Sequence, residues 1–289
     1  MYYVELAVQG LIYGSMYALM ALGLTLIYGL LRVLHIAHAA VFTLGAYVGV
    51  ITANATGSLW IAFPAAILAA VLAGIAIYRL VYAPLLDRPP LVPLIASVGL
   101  LILLEDLFRI VFGNQGIAFN ENPYVYMTVT IGGLSIGVLQ LAMFVGSVAS
   151  LSAFAAFVAF SRTGAAWRAT LGNPQMATSF GVSVAQVRYL NFAIGSAFAG
   201  LAGVLIALLN NYAEPGMGTI VSYKTLAIIV LGGLGSMRGA LIGSLLLGVI
   251  ESYGTVYLSG GVDRDAIAAL CLIAILMFRP EGLAKRIAA

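Results

Sequence analysis

Few side chains in this sequence stand where chemistry could be done, and each has a plain competitor. His35 and His38 lie three apart, so on a helix they share a face. Two imidazoles hold a metal only with further Cys, His or carboxylate ligands, and the chain has just these two histidines and no HExxH element. The pair is therefore either a hydrogen-bonding helix start or a polar point on a path through the molecule. Glu105, Asp106 and Arg109 form a second cluster, in which Glu105 and Arg109 are spaced to pair on one helix face. Glu251 stands deep in an apolar run. It pairs with a basic or backbone group elsewhere, or it lines a watery cavity. The run Gly232–Gly239 has the look of a phosphate-binding turn, but after Gly233 and Gly235 the third glycine position holds Arg238. A tight turn between helices, with Arg238 at a membrane interface, suits it better than a nucleotide site. No Gly-x-Ser-x-Gly element or nucleophile–base spacing is present, so the chain does not read as an enzyme.

The elements that must position these residues are set by composition. The 289 residues are 63% hydrophobic and 8% charged, against about 25% charged in soluble domains. A membrane helix needs roughly 20 apolar residues, and hydrophobic segments of that kind fill most of the chain. The expected fold is an all-α polytopic membrane protein with about 8–9 transmembrane helices, some broken or re-entrant, forming one transmembrane domain over 1–289. Candidate spans are 4–28, 36–54, 59–81, 91–112, 136–160, 189–211, 219–237, 239–258 and 264–279. The seventh and ninth are marginal in length, and the seventh carries Lys224. The N-terminus has Glu5 and no basic flank, so the first run reads as a permanent span rather than a signal peptide. Cys271, the single cysteine, can form no internal disulfide. A net charge of +3, scattered along the chain, gives no reason to expect nucleic acid as a partner.

Orientation follows from the basic residues. With the N-terminus outside, nine crossings put ten of the 13 Lys and Arg residues inside, including Arg32, Arg79, Arg88, Arg162, Arg168 and Arg238. The C-terminus is then cytoplasmic. The 33 glycines often stand four apart, as in Gly10 and Gly14, Gly45 and Gly49, and Gly239 and Gly243. Small residues at that spacing let helices approach in lipid, where no hydrophobic force drives them together. Asn191, Asn210, Asn211 and Gln140 are expected to hydrogen-bond between helices.

One segment departs from this pattern. Residues 161–188 are polar, basic and glycine-punctuated between two long apolar runs. Within it Gln175-Met176-Ala177, three residues and Gly181 match the last Ala and the Gly of a Glu-Ala-Ala-x3-Gly pattern. Four further segments carry a resemblance. The first runs from Gly10 through Tyr28 to Gly29, and the second is Leu34-His35-Ile36-Ala37-His38-Ala39 followed by Gly45-Ala46-Tyr47. The third is Val230 to Ser244 with its Gly-Gly-x-Gly-Ser-x-x-Gly-Ala-x-x-Gly pattern, and the fourth is Phe278-Arg279-Pro280-Glu281-Gly282. Together these segments resemble the inner-membrane permeases of the branched-chain amino acid ABC transporter family. His35 and Ala39 stand where that family usually has Asn and Gly, which leaves the cargo open.

The resemblance implies a permease subunit of an ATP-driven importer in a bacterial-type inner membrane. Its cargo would be branched-chain or related small amino acids delivered by an extracytoplasmic solute-binding protein. Urea or a short amide is the alternative cargo, and an ATP-independent channel or secondary carrier the rival class. A second permease, related or identical, and two cytoplasmic ATP-binding subunits would complete the assembly. ATP and Mg would be held there, with no cofactor, metal or catalytic residue in this chain. The 161–188 segment would be the ATPase-coupling loop, with Arg168, Asn173, Ala177 and Gly181 as its key residues. Tyr28, His35, His38 and Glu251 are the candidate residues of the translocation path. The outer segments 113–135 and 212–223, with Asn120, Glu121, Asn122 and Glu214, would receive the binding protein.

Overall fold

The computed structural model describes residues 2–120, 124, 127–257 and 263–278. Helix α1 runs Tyr2–Leu31, α2 His38–Thr56 and α3 Leu59–Ile77, the last continued by a π-helical turn Tyr78–Tyr82 and a short 3-10 turn Ala83–Leu85. Helix α4 follows at Leu91–Phe112, then strands β1 (Ile117–Ala118), β2 (Thr128–Ile131) and β3 (Leu134–Gly137), and α5 at Val138–Phe160. Two short helices, α6 (Arg162–Gly172) and α7 (Pro174–Ser179), lead into α8 (Val184–Asn210). Strand β4 (Tyr212–Ala213) precedes α9 (Met217–Gly232), α10 (Met237–Tyr257) and α11 (Arg264–Phe278).

Seven of these helices are long and apolar enough to cross a membrane, among the described residues. All nine expected spans are helical. The two marginal ones are the short ones: α9 has 16 residues and α11 has 15, about 24 and 22 Å at 1.5 Å per residue.

Helix α1 is the axis of the bundle. It is apolar on every side, as a fully enclosed helix must be, and it is buried almost without break from Gly14 to Ile27. The expected glycine contacts are realised. A Cβ on Gly14 would lie 2.8 Å from Leu245 Cα on α10, and one on Gly45 would lie 2.5 Å from Gly200 Cα on α8. Neither neighbour can yield, because both are backbone. The helix pairs α1–α10 and α2–α8 therefore sit at a separation only glycine allows. Helices α4 and α5 are peripheral: α4 buries just Pro93, Ser97 and Phe108, and α5 just Leu139, Met143 and Ser147.

The bundle has two distinguishable ends. At the strand end, β1 pairs antiparallel with β4, Ile117 opposite Ala213 and Ala118 opposite Tyr212. Beside them β2 and β3 form a hairpin, turned by Gly132 and Gly133 at φ 58° and 85°. Two consecutive left-handed residues are what a tight two-residue hairpin demands. Strands of four residues are too short for the sequence pattern to single out within the outer segment 113–135. At the loop end lie α6 and α7.

Two helices start inside the bundle rather than at its surface. The connection after α1 folds back inward, so that Ala37 N–H donates to Ser97 Oγ at 3.0 Å, almost two turns into α4. At the strand end the chain likewise turns in after β4. Thr219 in the first turn of α9 donates to Glu105 Oε2 at 2.9 Å, two turns below the end of α4 at Phe112. The seventh span is thus re-entrant at its start, one of the outcomes its composition allowed.

Candidate functional site

The two internal helix starts meet. Gly218 of α9 packs on the Ala39 carbonyl and Thr43 in the first turns of α2. Just below that contact a narrow pocket opens between α1, the 34–39 segment and α9, lined by Met20, Leu24, His35, His38, Ser222 and Thr225. It measures about 10 Å³, room for about one water. None of its lining residues is charged.

Both candidate histidines are at this pocket and both are buried. His35 owes its place to the π-helical turn of α3. That turn puts Tyr82 OH 2.8 Å from His35 Nδ1, with the Tyr82 and Phe192 rings packed on the imidazole. His38 fits only because residue 23 is glycine; a Cβ there would lie 2.9 Å from its Nε2. The His38 ring lies toward the Met20 carbonyl without meeting hydrogen-bond geometry, and His35 Nε2 and both His38 nitrogens have no hydrogen-bond partner among the described residues. Buried polar atoms are nearly always satisfied, and the pocket beside these rings has room for about one water to serve them. No three metal-ligating side chains come together among the described residues.

The other two path candidates lie elsewhere. Tyr28 borders Gly235 in the turn between α9 and α10, at the loop end. Glu251 is in an ion cluster, realising the pairing that was one of its two sequence readings. Its Oε1 lies 3.2 Å from Lys224 Nζ, its Oε2 accepts from Tyr17 OH at 2.7 Å, and Lys224 also reaches Asp265 Oδ1 at 2.9 Å. Four helices, α1, α9, α10 and α11, are joined by this cluster. Arg264 adds a second cation over the Tyr13 ring. Glu105 and Asp106 both pair with Arg109, as their spacing requires.

The 161–183 segment has a definite architecture. Ser161, Asn173 and Ser183 each stand at a helix N-cap and each accepts a backbone N–H three residues on, satisfying donors the helix cannot. At the end of α7, Gly181 N–H donates to Thr178 O at 2.9 Å and Val182 N–H to Ala177 O at 3.0 Å. Gly181 has φ +81°. This is the Schellman arrangement, and it needs a residue tolerant of the left-handed region. Arg168 and Asn173 are exposed, as are Met176 and Phe180, but Ala177 is buried within the segment. Its small size serves packing in the chain itself, and the exposed apolar face belongs to Met176 and Phe180.

A residue the sequence reading did not single out ties this segment to the bundle. Trp167 of α6 donates its indole N–H to Asn191 Oδ1 at 3.0 Å, and Asn191 Nδ2 donates to Leu26 O on α1 at 2.7 Å. Asn191 was expected to bridge helices; Trp167 carried the available signal, the one tryptophan of a polar segment.

Long apolar helices packed as one bundle, with two helix starts inside it, define a polytopic membrane protein. Residues 6–278 match the family described as "Branched-chain amino acid transport system / permease component", and the chain belongs to that family. It is 31% identical to BraD of Pseudomonas aeruginosa, a high-affinity branched-chain amino acid transport system permease protein, over 99% of this chain and 96% of that one. It is 32% identical to LivH of Escherichia coli K12, which bears the same description, over the same shares. Among solved structures it resembles a chain assigned to a metal-chelate type ABC transporter in an inward-facing conformation. The TM-score is 0.50 at 17% identity, over 96% of this chain and 87% of that one. At that identity the likeness is one of fold. The protein is thus a multi-pass membrane permease component of an ABC transport system, a transport subunit rather than an enzyme.

Proposed function

We propose that this permease forms the translocation path for branched-chain or related small amino acids in an ATP-driven importer. The observation that carries the coupling half is the capped α6–α7 segment, hung from the bundle through Trp167, Asn191 and Leu26. A rigid helical segment anchored to α8 and α1 can pass a push from an ATPase into the spans. Arg168, Asn173 and Gly181 shape the segment and its surface, Ala177 packs it, and Met176 and Phe180 present its apolar face. ATP and Mg belong to two cytoplasmic subunits that grip it.

The path runs past His35 and His38, where the helix starts of α2 and α9 close on a pocket too small for any amino acid. This is a shut state, and separation of α9 from α2 opens it. Tyr28 lines the loop-end exit beside Gly235, and Glu251 holds the α9–α10–α11 side in place. A second permease subunit, related or identical, supplies the other wall. The solute-binding protein docks at the strand end. The two segments nominated for it from sequence are joined there by the β1–β4 pair, which carries Asn120 and Glu214 beside it; Glu121 and Asn122 lie outside the described residues. The uncharged pocket lining also suits urea or a short amide, the second cargo reading.

The test is uptake in proteoliposomes holding the whole transporter, with ATP at the ATPase face and binding protein at the other. ATP-dependent accumulation of leucine, isoleucine or valine is expected. Accumulation of urea or acetamide alone moves the cargo to the alternative, and uptake without ATP overturns the importer reading.

A further inference from the structure

At the strand end, away from the histidine pocket, four span ends leave a cavity of about 670 Å³ between α2, α3, α5 and α8. Its size lies within the roughly 300–1,000 Å³ of ligand pockets. The lining is zoned. Asn54, Asn120 and Tyr124 stand at the rim, with Phe63, Met143 and Leu205 below them. Phe63 and Met143 are each four or five residues into their helices, so the apolar floor lies about 6–8 Å below the helix ends at 1.5 Å per residue.

Charge narrows the occupant. No charged side chain lines the cavity among the described residues. An amino acid resting here would keep its ammonium and carboxylate unpaired among these residues, a cost that a solute in passage past the histidines bears only briefly but a resident ligand bears throughout. The polar groups at the rim are partly committed. Asn54 Nδ2 donates to Ala118 O and its Oδ1 accepts from Asn120 N–H, both at 2.9 Å. Asn54 therefore holds the segment after α4 in place instead of reading a solute.

Position narrows it further. Trp60, at the mouth, is 90% exposed, and tryptophan concentrates at the membrane–water interface. Exposed apolar side chains stand on the outer helices beside the cavity, Ile61 on α3 and Val145 on α5. An apolar gap open to lipid does not stay empty, because its walls lose their dispersion contacts. A polar rim at the interface over an apolar floor is the profile of a glycerolipid.

We propose that this cavity holds the upper part of one phospholipid acyl chain, its ester region at the Asn120 and Tyr124 side of the rim and its methylenes on Phe63, Met143 and Leu205. The chain adds to the packing of α5 at its strand end, where Leu139 and Met143 are its buried residues.

The experiment reconstitutes the complete transporter in nanodiscs containing phosphatidylethanolamine with a diazirine on one acyl chain. After irradiation, adducts are mapped by mass spectrometry. Adducts should concentrate on 138–143 and on the end of α8. Ala142→Trp, which fills the cavity, should cut them about tenfold, the loss expected when about two methylenes lose their burial. Val148→Trp, on another face of α5, should leave them unchanged. Ala142→Leu, a smaller wedge, should give a partial loss and decides the matter if the tryptophan variant does not reach the membrane. Labelling spread evenly over α3 and α5 and indifferent to both Ala142 variants overturns the proposal, leaving only bulk lipid contact. Displacement of the label by excess leucine also overturns it, since the cavity would then belong to the cargo.

Discussion

Lys224 is a cation in an apolar helix, and its neighbours explain why it is tolerated. Two carboxylates and a phenol surround it, and Glu251 is 2% exposed while Asp265 is 48% exposed at the side chain. The asymmetry predicts an order of effects. Lys224→Met strands Glu251 with only the Tyr17 hydroxyl and should destabilise by about 3–5 kcal/mol, the usual cost of orphaning one partner of a buried pair. Glu251→Gln leaves Lys224 its bond to Asp265 and should cost less. The double variant should recover much of the Lys224→Met loss. Thermal unfolding of the purified protein checks this; additive losses would mean that the two residues do not form a pair. At this scale the sequence was uneven. Glu105 and Arg109 were legible as partners because a helix fixes what stands four residues on. Glu251 and Lys224 were each visible as misplaced charges, but their pairing crosses helices 27 residues apart, and no local spacing encodes that. The histidines were legible as neighbours for the reverse reason: their separation is short, although Tyr82, which holds His35, is 47 residues away.

The α6–α7 segment makes sense as one mechanical unit. Each helix is started by a side-chain cap, α7 is ended by a Schellman turn, and the unit is fixed to α8 and α1 by one buried amide. Asn191→Leu keeps the shape of the side chain but removes both bonds, leaving the indole unsatisfied and the Leu26 carbonyl with its intrahelical bond alone. It should leave the protein in the membrane and lower the solute moved per ATP hydrolysed by several-fold. Trp167→Phe removes one hydrogen bond, worth about 1 kcal/mol, and should be milder. At Gly181, proline cannot reach φ +81° and should abolish coupled uptake, while asparagine, which tolerates the left-handed region, should retain most of it. Normal coupling in both Asn191→Leu and Gly181→Pro would remove the segment from the transport cycle. The caps and Gly181 could be read from residue types alone, because capping is local chemistry. The direction Ala177 faces could not, since it depends on how the segment lies against α8.

For the whole molecule the question is which way it sits and whether its crossings add up. Seven long helices with two short ones would give the wrong parity if α9 failed to cross. Helix α9 by itself does fall short, but the stretch 212–236 does not. It begins at β4, paired with β1 at the strand end, and finishes in the turn where Gly235 adjoins Tyr28 and Gly29 near the loop end of α1. Non-helical backbone at membrane depth is acceptable where protein surrounds it, and Gly218 against α2 provides that surrounding. Hydropathy could place this span within a few residues and flag it as irregular. It could not show that the crossing is shared between a buried loop and a short helix. By the positive-inside rule Arg162, Arg168 and Arg238, all on the loop side, would put that side in the cytosol. In a Cys271→Ser background, cysteines at Asn173 and Leu234, both exposed, should therefore react with a membrane-impermeant thiol reagent from the cytosolic side only. A cysteine at the exposed Asn120 should react from the opposite side only. If Leu234→Cys labels with Asn120→Cys, then 212–236 does not cross. If all three labels exchange sides, the count stands and the orientation is inverted, and with it the assignment of α6 and α7 to an ATPase.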